Sequence, residues 1–217
     1  MTRRSAFTRV VVGVVALGAL AVLFLRSAQS AREAPFVVDR TSVTPWTLVL
    51  EPKPDSVGSW LALRPPPQLA PPLGRQIFAR SGESVRYPNP PVLPLLLRSE
   101  LDRALAGTLP PDAVMNLARA AALESATFEP RCMGHRRVSE PGETRGVYFI
   151  LFDAPAFVQF RQQVSEALRD AGGNASLFDP AALSPVVLVA AIDDDFGRWM
   201  PLRADPEADC LAPIEIQ

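Results

Sequence analysis

The most constraining stretch of the sequence is 146–192, which has the pattern of a strand, a helix and a second strand. Residues 147–152 (VYFILF) have the length and the β-branched and aromatic composition of a buried strand. Asp153 is then expected to cap a helix with Pro155 in its first turn, and 186–192 is the second apolar run. We expect the rest of the chain to repeat or support this unit.

The remaining patterns predict an α+β domain with the element order β-β-α-β-α-α-β-β-α-β. Apolar runs predict strands, and apolar residues at helical spacing predict helices. The predicted strands are 46–51, 60–64, 92–97, 127–133, 146–152 and 186–192, and the predicted helices are 72–80, 99–107, 110–123 and the helix after Asp153. We expect mainly antiparallel sheets with helices on one side, and two pseudo-symmetric lobes are one possible arrangement of them. The last segment, 196–217, is expected to be irregular.

The N-terminus has the pattern of a membrane anchor. Three arginines precede an uninterrupted apolar run of 16 residues at 10–25, and Arg26 follows at once. Such a run spans about 24 Å as a helix, against a hydrocarbon core of roughly 30 Å. The arginines place the N-terminus in the cytoplasm and the domain across the membrane. We therefore predict a single-pass inner-membrane anchor at 1–26, a tether at 27–43 and a periplasmic domain at 44–217, with a cleaved signal peptide and secretion as the alternative.

Composition excludes some classes of function. The chain has 217 residues, of which 48% are hydrophobic, as in a globular domain. Four of the 22 basic residues and none of the 23 acidic ones lie in 1–26, so the remainder has a formal net charge of −5. No basic stripe stands out, and we expect no nucleic-acid partner.

The two cysteines, Cys132 and Cys210, are expected to form a disulfide if the domain lies in an oxidising compartment. Free buried thiols and a reactive thiol are the alternatives. Two cysteines and one histidine at scattered positions do not make a metal site, and no metal or other cofactor is expected.

Three stretches resemble the two-histidine phosphoesterase superfamily, which includes RNA ligase-like and cyclic phosphodiesterase proteins. They are PPVLPLLLRSEL, VYFILFDAPAFVQF and FDPAALSPVVLVAAI, and the likeness covers about 90–192. Members of that superfamily are α+β and bilobal, and each lobe contributes a strand carrying His-x-Thr or His-x-Ser, often just after a proline. The two histidines act as general acid and base across a cleft, and the hydroxyl groups hold the phosphate.

This chain departs from the superfamily at the residues that carry its chemistry. The first motif falls on Val92 and Pro94, and the second falls on Val186 and Leu188. None of these side chains can move a proton or donate a hydrogen bond to a phosphate. Since the whole chain has a single histidine, His135, two-imidazole chemistry is impossible in any register. The resemblance therefore implies a former enzyme whose cleft became core or a binding surface.

Other polar groups are weaker candidates. His135, Arg136 and Arg137 follow a predicted strand and could bind an anion, although a solvated hairpin is the favoured interpretation. Three adjacent aspartates at 193–195 lack the spacing of a calcium loop and are expected to form a solvated turn. A serine nucleophile with His135 as its base has no supporting motif.

We therefore expect a non-catalytic binding or structural module, held at the membrane by its N-terminal helix. The alternative is a hydrolase that uses carboxylates and arginines, for example Arg136, Arg137 and Asp193, which requires these groups to converge on one pocket. A third hypothesis is a subunit of an envelope complex with a protein partner.

Overall fold

Strands and helices of an α+β domain make up the part of the chain that the computed structural model describes, which is residues 34–217 apart from 52, 54 and 141. The strands in this part are β1 (Phe36–Val38), β2 (Thr47–Leu50), β3 (Ser59–Arg64), β4 (Leu93–Leu97), β5 (Glu129–Glu140), β6 (Glu143–Asp153), β7 (Val186–Ala191) and β8 (Cys210–Ile216). The helices are α1 (Ala70–Ser81), α2 (Arg98–Glu100), which continues as a π-helical turn (Leu101–Leu105), α3 (Pro111–Ala120), α4 (Pro155–Asp170) and α5 (Pro206–Asp209).

The strands form a five-stranded sheet in the order β1-β8-β5-β6-β7 and a three-stranded sheet in the order β2-β3-β4. β1 pairs with β8 in parallel, and the other neighbours are antiparallel. The predicted fold class, α+β with mainly antiparallel sheets, is confirmed at this level.

The same order of elements occurs twice. β2 and β3 form a hairpin, α1 follows, and β4 returns beside β3; β5 and β6 form a second hairpin, α4 follows, and β7 returns beside β6. β4 and β7, the equivalent strands, contact each other. They come from the two proline-led apolar runs of the sequence, PPVLPLLL and LSPVVLVAAI.

Strand alternation divides the buried side chains between two clusters. In β6, Tyr148, Ile150 and Phe152 belong to the first cluster, while Val147, Phe149 and Leu151 belong to the second. Helices α1, α3 and α4 contribute their apolar faces to the first cluster only. These three helices therefore lie on the same side of the strands, while the 3₁₀ helix Phe196–Trp199 packs in the second cluster.

The start of α4 differs from the sequence-based expectation. Asp153 is the last residue of β6, where it pairs with Glu129, so Ala154 occupies the N-cap position without a side-chain hydrogen bond. Pro155 begins the helix, as expected, because its fixed φ suits the first turn and its missing N–H has no partner there in any case.

Two strands were not predicted. β1 lies within the predicted tether 27–43, and its residues Phe36 and Val38 belong to the first cluster, so the described end of that segment is part of the domain. β8 lies within the segment that we expected to be irregular. The predicted membrane anchor, 1–26, lies outside the described residues, and no helix among the described residues is long and apolar enough to cross a membrane.

Candidate functional site between the two sheets

Val92 and Val186, which the resemblance aligns with the two histidines, occupy equivalent places in the fold. Val92 directly precedes β4, and Val186 is the first residue of β7. Each follows a proline, Pro91 and Pro185. Both valines are 0% exposed and belong to the second cluster. The two positions that the resemblance aligns with catalytic histidines therefore lie in one shared apolar core.

The hydroxyl positions of the two motifs face the same core. Leu188 is 0% exposed and belongs to the second cluster. Pro94 is buried and pairs with Ala62, a member of that cluster, so it lies on the same face of its sheet. All four motif positions are thus apolar, buried and directed toward one region between the sheets.

A connection between β7 and α5 covers this region. Its short 3₁₀ helix, Phe196–Trp199, contributes both terminal aromatic residues to the second cluster, and Leu202 joins them. Trp199 is 9% exposed and Leu202 is 1% exposed, so the cover excludes water from the motif positions. In the described part of the chain, the four motif positions themselves present no exposed surface to a phosphodiester.

The chemistry available at these positions follows from this packing. Valine, proline and leucine offer no donor, no base and no metal ligand. Among the described residues, no group of three or more His, Cys, Asp or Glu side chains is arranged to hold a metal ion. The region can therefore stabilise the fold, but it supplies no group for acid–base or metal-assisted hydrolysis.

A polar cluster surrounds His135 on the helix-facing side of the larger sheet. The His135 ring stacks on Tyr148, its partner across β5 and β6, with ring centroids 4.3 Å apart. The Tyr148 hydroxyl donates to Glu83 at 2.6 Å, and Arg137 forms an ion pair with the same carboxylate. Burial lowers the pKa of His135 and raises the pKa of Tyr148, since it disfavours the charged form of each group. Both ionisable side chains are thus held neutral near pH 7.

Arg136 does not join His135 and Arg137. It pairs with Val147 of the second cluster and therefore lies on the opposite face of the sheet. Its guanidinium makes a bidentate pair with Asp209, at 2.5 and 3.2 Å, and donates to the Arg203 carbonyl at 2.8 Å. The three consecutive residues therefore do not converge as an anion site would require, because successive residues of a strand point to opposite sides.

The same alternation bears on the alternative hydrolase. Arg136 and Arg137 lie on opposite faces, and each is already paired with a carboxylate, so the two do not converge with Asp193 on one pocket. The Asp193 Oδ1 atom accepts the Asp195 N–H at 3.2 Å, which forms the local turn that the sequence predicts.

The sequence interpretation missed a buried ion pair between Arg161 and Glu100. Arg161 is 0% exposed, and its guanidinium donates to both oxygens of Glu100, at 2.6 and 3.2 Å. Three carbonyls, those of Leu95, Asp179 and Pro180, accept its remaining donors at 2.8–2.9 Å. Arg161 follows Phe157 by one helical turn on the apolar face of α4. A charged residue on an apolar helix face could have indicated the buried ion pair from the sequence. The pair joins α4 to the segment after β4.

The predicted disulfide between Cys132 and Cys210 is confirmed. It joins β5 to β8 across 78 residues of sequence. A disulfide is consistent with an oxidising periplasmic or extracellular location.

Open pockets lie on the surface of the domain, and one of them borders the second cluster at Leu151, the partner of Val186, and at Pro185. A groove of two adjoining pockets, of about 430 and 260 Å³, runs along α4 and shares Val158, Ser184 and Pro185. Its charged groups are Arg131 and Asp153, which lie 3.7 Å apart and are half exposed or more. A pocket of about 510 Å³ lies beside β2 and the end of α3.

No protein-family model, no curated protein and no solved structure matches this chain.

Proposed function

We propose that this chain is a membrane-anchored, non-catalytic binding or structural module in the bacterial periplasm, derived from a two-histidine phosphoesterase. The observation that carries the proposal is the pair of equivalent positions Val92 and Val186, which are both apolar and fully buried in one core. A phosphoesterase needs an open cleft with a general acid and a general base at these places. Covered aliphatic side chains provide neither.

The repeated order of hairpin, helix and returning strand supports the proposed ancestry. A bilobal enzyme of the superfamily carries one motif on an equivalent strand of each lobe, and β4 and β7 are equivalent and in contact. The disulfide and the apolar run at 10–25 support the proposed location, since disulfides persist in the periplasm and an uncharged apolar run preceded by arginines has the pattern of an anchor.

A hydrolysis assay tests the absence of catalysis. The full chain, purified in a mild detergent, is incubated with 2′,3′-cyclic nucleotides and with 2′,5′-linked RNA, and product is measured against a buffer blank. We expect no turnover above the blank. Reproducible turnover above the blank, absent from a preparation carried through the same purification without this chain, would refute the proposal.

Protease accessibility tests the location. In spheroplasts of a bacterial host, protease added outside the inner membrane is expected to digest the domain without permeabilisation. Protection of the domain until the membrane is broken would place it in the cytoplasm and contradict the anchor orientation.

A further inference from the structure

The edge strands of the described sheets differ in how well they are protected from pairing with a further strand. On β1, the Gln76 side chain accepts from the Val37 N–H at 2.9 Å and donates to the Val37 carbonyl at 2.8 Å, so a helix side chain replaces a neighbouring strand. β4 and β7 are buried along their whole length. β2 has two exposed residues, Thr47 and Leu50, and β3 is its strand neighbour in the described chain. An open edge of this kind is a template for another strand.

The backbone of β2 offers hydrogen-bonding groups on its outer side. The Glu51 N–H donates to the Trp60 carbonyl at 2.8 Å, so alternation turns the backbone groups of Leu48 and Leu50 away from β3. The Leu48 N–H donates to a carboxylate oxygen of Glu124, an exposed side chain, at 2.8 Å. The strand sequence, TLVL, has no charge and no proline, the usual devices against edge pairing.

An exposed leucine and an open pocket lie side by side on this edge. Leu50 is 41% exposed. The pocket of about 510 Å³ is lined by Trp46 and Leu48 from the strand and by Ala118 and Ala122 from the end of α3. Leu48 and Leu50 are two residues apart, so their side chains point to the same face of the sheet.

We propose that β2 pairs with β2 of a second copy of this chain, antiparallel and centred on Val49. In this register Leu48 lies opposite Leu50 of the second copy, and the outward N–H and C=O groups of both form four hydrogen bonds across the two-fold axis. The two three-stranded sheets become one sheet of six strands. In the dimer, the Leu48 N–H donates to the Leu50 carbonyl of the second copy instead of to Glu124.

Side-chain packing selects a second copy over an unrelated strand. Directly opposed residues of antiparallel strands share a face, so Leu50 of each copy lies next to Leu48 of the other, over the pocket that Leu48 lines. One edge therefore carries both the protruding side chain and the cavity that receives it, which is the self-complementarity that a two-fold interface requires.

Disulfide trapping tests the register. The axis brings the two Val49 Cα atoms to about 4.5 Å, within range of a disulfide, while the two Thr47 Cα atoms are about 13 Å apart. The native cysteines are already paired, so Val49→Cys and Thr47→Cys each add a single free thiol to the full chain. In mild detergent with a gentle oxidant, we expect at least tenfold more covalent dimer from Val49→Cys.

Two further substitutions in the Val49→Cys background separate this interface from any contact between anchors. Leu50→Asp changes an exposed side chain and is expected to abolish the cross-linked dimer while the circular dichroism spectrum stays unchanged. Glu124→Ala removes the side chain that competes for the Leu48 N–H and is expected to raise the dimer yield several-fold.

The outcomes are distinct. Equal trapping at 47 and 49, no trapping at either, or trapping that survives Leu50→Asp would overturn the proposal. Trapping of Val49→Cys to a different polypeptide would overturn it in favour of a heterologous strand at the same edge. The hydrolysis assay is independent of all four results.

Discussion

At the scale of single residues, Arg161 and His135 show how burial decides what a charged or titratable group does. Arg161 sits in the core with every guanidinium donor used, so it is a structural link rather than a free charge. His135 was a weaker candidate in the sequence although it is the single histidine, and its ring is stacked on Tyr148. The residue types indicated which groups to examine. The directions of their side chains depend on strand alternation, and predicting them requires the exact register of the strand.

Replacing Arg161 by Met is expected to destabilise the domain by about 3–5 kcal/mol, because it leaves the buried Glu100 carboxylate without its cation. Urea unfolding measures the change. Arg169→Met is the matched control on the same helix, since Arg169 is exposed, and it should change the free energy of unfolding by no more than about 0.5 kcal/mol. Equal effects of the two substitutions would show that the buried pair does not stabilise the fold.

His135 is expected to make stability depend on pH. Burial lowers its pKa in the folded state below the ordinary value of 6.5, so the unfolded chain takes up the proton first. The contribution is complete above pH 6.5 and is lost as the pH falls from there toward the folded pKa. Charges facing the ring are those of Arg137 and Glu83, which form an ion pair with each other.

Unfolding free energies of the wild type and His135→Gln between pH 8 and pH 5 measure this dependence. Carboxylates titrate in both proteins and cancel in the difference. We expect the wild type to lose more stability than the variant below pH 6.5. A difference that is constant with pH would mean that the imidazole is as free to ionise in the folded protein as in the unfolded chain.

At the scale of elements, the long apolar runs could be predicted and the short edge strands could not. β4, β7 and the 146–152 part of β6 are buried on both faces, so they appear in the sequence as continuous hydrophobic runs. β8 alternates buried or partly buried with exposed residues and contains Pro213, and β1 has three residues. Such strands form because of the strands they pair with: β1 pairs with β8, and β8 also pairs with β5. These partners are distant in sequence, so the local pattern does not reveal them.

The disulfide between β5 and β8 is expected to hold this distant pairing. Closing a loop of 78 residues stabilises a fold by about 4–5 kcal/mol on the chain-entropy model. Urea unfolding with and without a reductant measures the loss, and a Cys132→Ala, Cys210→Ala variant, which has no bond to reduce, is the control. A wild type whose unfolding midpoint does not move on reduction, with thiol titration showing that the bond is broken, would contradict this role.

At the scale of the whole molecule, the account depends on a closed core at the positions that the resemblance aligns with a catalytic cleft. The sequence predicted that Val92 and Val186 cannot catalyse, since valine has no titratable group. It could not predict that the two positions share one cluster, or that Trp199 and Leu202 cover them, because the covering segment has no regular pattern. The motif residues and their cover together make a domain whose interior is occupied at these positions.

The most direct test of this closed core is the stability cost of placing a histidine in it. Val186→His places a larger polar side chain at a site that is 0% exposed, and Val158→His makes the same change at a site that is 49% exposed. We expect Val186→His to lower the free energy of unfolding by about 3 kcal/mol or more, because it overpacks the cluster and buries an imidazole without a partner. Val158→His should change it by no more than about 0.5 kcal/mol. If urea unfolding finds that both variants keep the stability of the wild type, the region between the sheets is an open cleft and the account is contradicted.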